Sequence, residues 1–200
     1  MRLREIAELF HLCCRKSWYQ PVAVYHARMS TIAIIGYSGS GKTTISEWIA
    51  NYLDMPCIDT DDKVLEHLGM SSVQSAWDKK GEARWRKVEA EIIPALLQKH
   101  AVVSLPGRSP ISESVKDALK KVPMVINCIA DEETTLARIA KGTDRPMLRA
   151  DELQARSKQL ETYDSLATHE LDSNGDLASA IPRIQALLTD LDSNRPSLPL

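Results

Sequence analysis

From residue 31 onward the chain alternates between two hydrophobic patterns. Thr31-Ile32-Ala33-Ile34-Ile35 is a short, unbroken, β-branched run, the signature of a strand buried on both faces of a parallel sheet. Ile45, Trp48, Ile49, Tyr52 and Leu53 then recur at spacings of three and four, which predicts a helix. Further strands are predicted at Cys57-Ile58, Ala101 to Leu105 and Val122 to Ile129, with a weaker one around His169 to Leu171. Helical periodicity fills the intervals 82–99, 111–121, 132–141, 150–167 and 176–191. Strands that alternate with helices predict an α/β fold, a five-stranded parallel sheet with helices on both faces.

Two segments fall outside this alternation. In residues 1–29, Arg2, Arg4, Arg15, Lys16 and Arg28 outnumber Glu5 and Glu8, while Leu3, Ile6, Leu9 and Phe10 recur at helical spacing. This N-terminal extension reads as an appended amphipathic helix, a targeting segment, or the product of an upstream start codon with Met29 as the working start. Transit peptides are usually serine-rich and poor in acidic residues, which weighs against targeting. The domain is expected to span 30–192, and the tail 193–200, with two prolines, is expected to fray.

Composition narrows the function classes. A length of 200 residues suits one domain with a proper core, and a net charge of -2 implies no general attraction to nucleic acid or membranes. No apolar run approaches the roughly 20 residues that span a bilayer. The four cysteines, Cys13, Cys14, Cys57 and Cys128, show no paired spacing, so neither a disulfide framework nor a zinc site is expected. A reducing cytoplasm fits best, or an organelle if residues 1–29 are a transit peptide.

The strongest chemical signal is Gly36-Tyr37-Ser38-Gly39-Ser40-Gly41-Lys42-Thr43, which fits Gly-x-x-x-x-Gly-Lys-[Ser/Thr] between a predicted strand and a predicted helix. Glycines let such a loop turn its N–H groups inward onto phosphates, and the helix beyond aims its positive end at the same anion. Gly39, Ser40, Gly41, Lys42, Thr43 and Thr44 are therefore the expected nucleotide contacts. Lys42 is expected to reach the β- and γ-phosphates and the Thr43 hydroxyl to ligate Mg²⁺, with ATP as co-substrate. Asp59-Thr60-Asp61-Asp62 follows the second strand, at the carboxyl edge where ligands bind in parallel sheets. These carboxylates have two readings: a site for hydrated Mg²⁺ or an acceptor hydroxyl, and a helix start capped by Asp59 or Thr60.

With those residues in place the chain resembles the shikimate kinase family. The likeness runs from the phosphate loop through Cys57-Ile58-Asp59-Thr60-Asp61 and Gly81-Glu82-Ala83-Arg84-Trp85-Arg86-Lys87-Val88-Glu89. It continues through Leu136-Ala137-Arg138, Asp144-Arg145-Pro146-Met147-Leu148 and Tyr163, in the family's order over about residues 31–190. The resemblance implies a monomeric P-loop kinase, a three-layer sandwich that transfers the γ-phosphate of ATP to the 3-hydroxyl of shikimate in aromatic amino-acid synthesis. It also implies roles. Asp61 orients the acceptor hydroxyl, and Asp59 supports Mg²⁺ through water. Arg86 grips the shikimate carboxylate, Arg145 closes over the phosphates from a lid, and Arg138 stacks on adenine.

Two positions depart from the family pattern. Where the family has three successive glycines after its third strand, this chain has Pro106-Gly107-Arg108, so that Gly107 alone keeps the expected substrate contact. Four residues before Tyr163, where the family has a second carboxylate-binding arginine, stands Gln159. The missing charge is worth on the order of 1.5–3 kcal/mol to a carboxylate ligand. Arg108 or Arg156 could replace it. Otherwise the acceptor is a different hydroxylated molecule, or the chain is a nucleotide-binding module without turnover.

Overall fold

A computed structural model describes residues 31–107, 112–141 and 156–193. Five strands form one parallel sheet: β1 (Thr31–Ile35), β2 (Cys57–Asp59), β3 (Ala101–Ser104), β4 (Met124–Ile129) and β5 (His169–Asp172). They lie in the order β2-β3-β1-β4-β5. β1 pairs with β3 from Thr31 opposite Ala101 and with β4 from Ile32 opposite Met124. That central place is why β1 is apolar along its whole length and buried at every residue.

Eight helices are present among the described residues. They are α1 (Lys42–Leu53), α2 (Thr60–Leu68), α3 (Val73–Lys80), α4 (Glu82–Leu96), α5 (Glu113–Leu119), α6 (Glu132–Lys141), α7 (Arg156–Leu166) and α8 (Leu177–Ser193). One face of the sheet packs Ile32, Ile34 and Ile126 against Ile45 and Ile49 of α1 and Ile184 and Leu188 of α8. The other packs Ala33, Ile35 and Val125 against Ile93 of α4, Val115 of α5 and Tyr163 of α7. A satellite cluster of Val64, Ala76, Trp85 and Val88 joins α2, α3 and α4 beside the edge strand β2. The sandwich with a parallel five-stranded core is the expected architecture.

The differences from the sequence pattern are local. α3 has no counterpart in the predicted helices, and of α2 only the start was expected, as the capped-helix reading of the acidic turn. Each is short and half exposed, so its apolar positions are too few to set a period. α4 ends at Leu96 instead of 99, because the Thr31 hydroxyl takes the carbonyls of Leu97 (2.9 Å) and Lys99 (2.7 Å) out of the helix. β4 starts at Met124, since Val122 closes the turn after α5 by donating its N–H to Leu119. The extension 1–29 and the tail 194–200 lie outside the described residues, as do 150–155 of the helix predicted over 150–167. No helix among the described residues is long and apolar enough to cross a membrane.

Candidate active site

The phosphate loop leaves β1 at Ile35 and enters α1 at Lys42. Gly36 sits at φ 139°, and a Cβ there would come within 2.5 Å of the Cys128 carbonyl, so β4 itself enforces the glycine. α1 has Gly41 at its N-cap, no side-chain cap and no acidic residue in its first turn. Its first N–H groups and positive dipole end are therefore left to an external anion. The Lys42 ammonium, 7% exposed, donates to the Tyr37 carbonyl at 2.8 Å and so spans the loop. Ser40 is buried and its hydroxyl has no hydrogen-bond partner among the described residues. Thr43 and Thr44 lie exposed in the first turn of α1.

The acidic turn is a helix start, and its capping carboxylate also reaches the phosphate loop. Asp59 caps α2, its Oδ1 accepting the Asp61 N–H at 2.9 Å. Its Oδ2 accepts the Thr43 hydroxyl at 3.3 Å, which brings a hydroxyl and a carboxylate together at the mouth of the loop. These are hard oxygen donors of the kind Mg²⁺ takes, one or two from protein and the rest from water and phosphate. No cluster of three or more His, Cys, Asp or Glu side chains suited to a metal occurs among the described residues. Asp61, 8% exposed, lies in the first turn of α2. The neighbouring Thr60 hydroxyl donates to the Ser104 carbonyl at 3.0 Å and ties this turn to the end of β3.

Arg86 projects from α4 between two carboxylates. It donates to the buried Glu89 at 2.8 Å and lies 3.3 Å from Glu82, with its guanidinium 5.7 Å from the centre of the Trp77 ring. Burial disfavours its charge, but Glu89 and Glu82 more than offset that and hold the guanidinium above its ordinary range. Gly107, after β3, lies against the loop. A Cβ on it would come 2.9 Å from the Ser38 nitrogen, so close backbone approach fixes the glycine. Gln159 is buried on α7, one turn from the fully buried Tyr163. Arg156, on the same helix, lies over the Tyr37 ring at 4.7 Å.

On the other side of the loop, Arg138 of α6 donates to the Gly39 carbonyl at 3.2 Å. It also donates to Ser173 at 2.8 Å and to Gly175 at 2.6 Å in the loop between β5 and α8. Sequence reasoning missed these carbonyl partners, because main-chain acceptors leave no trace in residue identity. Cys128, beneath the loop, is pushed up to about 12 by burial and carries no nucleophilic chemistry. Arg108 and Arg145 lie outside the described residues.

Comparison with known proteins agrees with this geometry. The family model for shikimate kinase matches residues 38–188. The shikimate kinase of Enterococcus faecalis is 36% identical over 121 residues, 60% of this chain and 71% of that one. The shikimate kinase of Francisella philomiragia is 30% identical over 155 residues, 74% of this chain and 88% of that one. Among solved structures, the shikimate kinase of Acinetobacter baumannii in complex with shikimate superposes with a TM-score of 0.76 at 22% identity, covering 88% of this chain and all of that one. The shikimate kinase of Aquifex aeolicus gives 0.68 at 26% identity, covering 80% and 96%. The chain thus belongs to the shikimate kinase family, ATP-dependent phosphotransferases with an alcohol group as acceptor.

Proposed function

We propose that this protein phosphorylates the 3-hydroxyl of shikimate with Mg²⁺ and ATP. The observation that supports the reading is the pairing of Thr43, in the first turn of the uncapped α1, with Asp59 at the start of α2, the helix whose first turn carries Asp61. Phosphoryl transfer asks little covalent help and much positioning and charge neutralisation, and these groups supply both.

The α1 amides and Lys42 hold the β- and γ-phosphates. Thr43 through its hydroxyl, and Asp59 through water, are the residues to hold Mg²⁺, which neutralises charge on the phosphates when bound. Asp61 orients the acceptor hydroxyl towards the γ-phosphorus and accepts its proton as the oxygen–phosphorus bond forms and ADP leaves. Arg86, held by Glu89 and Glu82, is assigned to the acceptor's carboxylate from the family motif. Arg138 is assigned to adenine: carbonyls occupy its guanidinium edge, which leaves its face to stack. Arg145 is assigned to the phosphates from the family motif. Cys57 and Cys128 are free thiols, which suits a reducing compartment such as the cytoplasm.

A coupled assay of ADP release with purified protein, ATP, Mg²⁺ and shikimate tests the assignment. Turnover that depends on shikimate, with the phosphate located on the 3-hydroxyl by NMR, is the expected result. ADP release indifferent to shikimate defeats it.

A further inference from the structure

β5 closes one side of the sheet, in the order β2-β3-β1-β4-β5, so its outer edge is open among the described residues. Just past β5 the Ser173 N–H donates to the Ile129 carbonyl of β4 at 2.8 Å, and Ile129 pairs with Asp172 in register. Main-chain direction alternates along a strand, so His169 and Leu171 face β4 as Ser173 does, while Glu170 and Asp172 turn their N–H and C=O groups outward. Arg183 and Leu187 of α8 stand over this edge and line a groove of about 360 Å³ with all four residues of β5. A groove beside outward-turned main-chain groups has the form of a site for one more strand.

Pattern, reach and charge select the occupant. Shortly before β1 the sequence reads Val22-Ala23-Val24-Tyr25, with two β-branched residues and a tyrosine, and Pro21 precedes it, a residue that strands tolerate at their first position. A sixth strand beside β5 lies three strand spacings from β1, about 14 Å. The six residue steps from Tyr25 to Thr31 extend to roughly 20 Å. They span the gap with slack when Tyr25 sits at the His169 end of β5, the end at which β1 also starts, and this makes the added strand antiparallel to β5. Glu170 and Asp172 are exposed carboxylates, whereas the extension is basic, with Arg2, Arg4, Arg15, Lys16 and Arg28 against Glu5 and Glu8. A second copy of β5 laid on this edge would set those carboxylates against their own counterparts, which is destabilising.

We propose that residues 22–25 join the sheet as a sixth strand, antiparallel to β5, so that the chain's own N-terminal extension covers this edge. The added strand hydrogen-bonds the outward groups of Glu170 and Asp172, and one side of it fills the groove against Leu187. The pairing holds whichever molecule accepts the phosphate.

The test is amide hydrogen exchange followed by NMR on the full chain. The N–H groups of Glu170 and Asp172, and those of residues 22–25 that face them, should exchange at least about 100-fold slower than in a free chain. Ala23→Pro/Val24→Pro removes a donor in either register of the added strand. In that variant the protection is lost at both segments together, while Ile32 to Ile34 of β1 stay protected. Exchange at the free-chain rate throughout residues 22–25 of the folded wild type overturns the proposal. Protection of Glu170 and Asp172 that survives in the proline variant overturns it as well, because another segment then covers the edge. Protection that grows with protein concentration, together with a dimer in light scattering, assigns the edge to a second copy and likewise overturns it. Should the proline variant not fold, the wild type decides alone: cross-strand NOEs between residues 22–25 and 169–172 in the monomer support the sixth strand, and their absence overturns it.

Discussion

Lys42 Nζ donates to the Tyr37 carbonyl across 2.8 Å, so the one lysine of the phosphate loop is held by the second residue of that loop. A bound nucleotide competes for this ammonium with a neutral carbonyl, an exchange that favours the phosphate because it adds an opposite full charge to a bond in which only the donor was ionised. Lys42→Ala is expected to abolish measurable turnover while the protein still folds. ATP with Mg²⁺ should raise the melting temperature of the wild type and leave that of the variant unmoved. A variant with wild-type activity would remove Lys42 from the site.

Asp61 separates catalysis from nucleotide binding. Asp59, not Asp61, supplies the α2 cap, so Asp61→Asn keeps the helix start intact. The kcat should fall by roughly 10²- to 10⁴-fold, with ATP affinity nearly unchanged. An unaltered kcat would reduce Asp61 to a favourable charge at a helix N-terminus.

Arg86 is structural as well as a candidate ligand, since its partner Glu89 is 2% exposed. Arg86→Ala breaks a largely buried ion pair, and a loss of stability on the order of 3 kcal/mol is expected in denaturant unfolding. Arg86→Lys keeps the charge and should unfold close to the wild type, yet its shikimate KM should rise, because an ammonium cannot bind a carboxylate as a fork. Equal stability of the alanine variant would mean that the pair contributes nothing measurable.

The central strands and the phosphate loop were legible in the sequence because each follows from local physics. A β-branched run such as Thr31–Ile35 can only be buried on both faces, and the Gly36–Thr43 spacing leaves few folds open. The extent of α2 and the whole of α3 were not legible. Their few buried residues, Val64 and Ala76 among them, pack mainly on α4, so tertiary contact rather than periodicity stabilises them. The double use of Asp59 was out of reach for a related reason. Cap and site were read as alternatives, whereas a carboxylate has two oxygens and here gives one to Asp61 and one to Thr43. Similarly, spacing placed Arg156 and Gln159 on one face of a helix, but nothing in the spacing of residues over a hundred positions apart pointed to the ring of Tyr37 as the seat of that guanidinium.

Asp59→Asn tests the dual role of that carboxylate, because asparagine caps a helix about as well as aspartate. Stability should change by less than about 0.5 kcal/mol, so any functional loss reports the missing charge. If Asp59 supports Mg²⁺, the variant needs a higher Mg²⁺ concentration to reach half its maximal rate, while its shikimate KM stays near that of the wild type. The neighbouring Cys57 gives an independent readout without turnover. Its thiol sits above its ordinary range, first through burial and then through the negative charges of Glu47 and Asp59. The thiolate is the reactive form, so iodoacetamide should alkylate Cys57 slowly at neutral pH, and the rate should keep climbing as pH rises past the midpoint of an ordinary cysteine. Removing the Asp59 charge relieves the repulsion, lowers the thiol's pKa and raises the thiolate fraction at fixed pH. Alkylation followed at the Cys57 peptide by mass spectrometry should therefore be faster in Asp59→Asn than in the wild type. A slower or equal rate would show that the Asp59 charge is not felt at Cys57, and an unchanged Mg²⁺ requirement would leave Asp59 a helix cap alone.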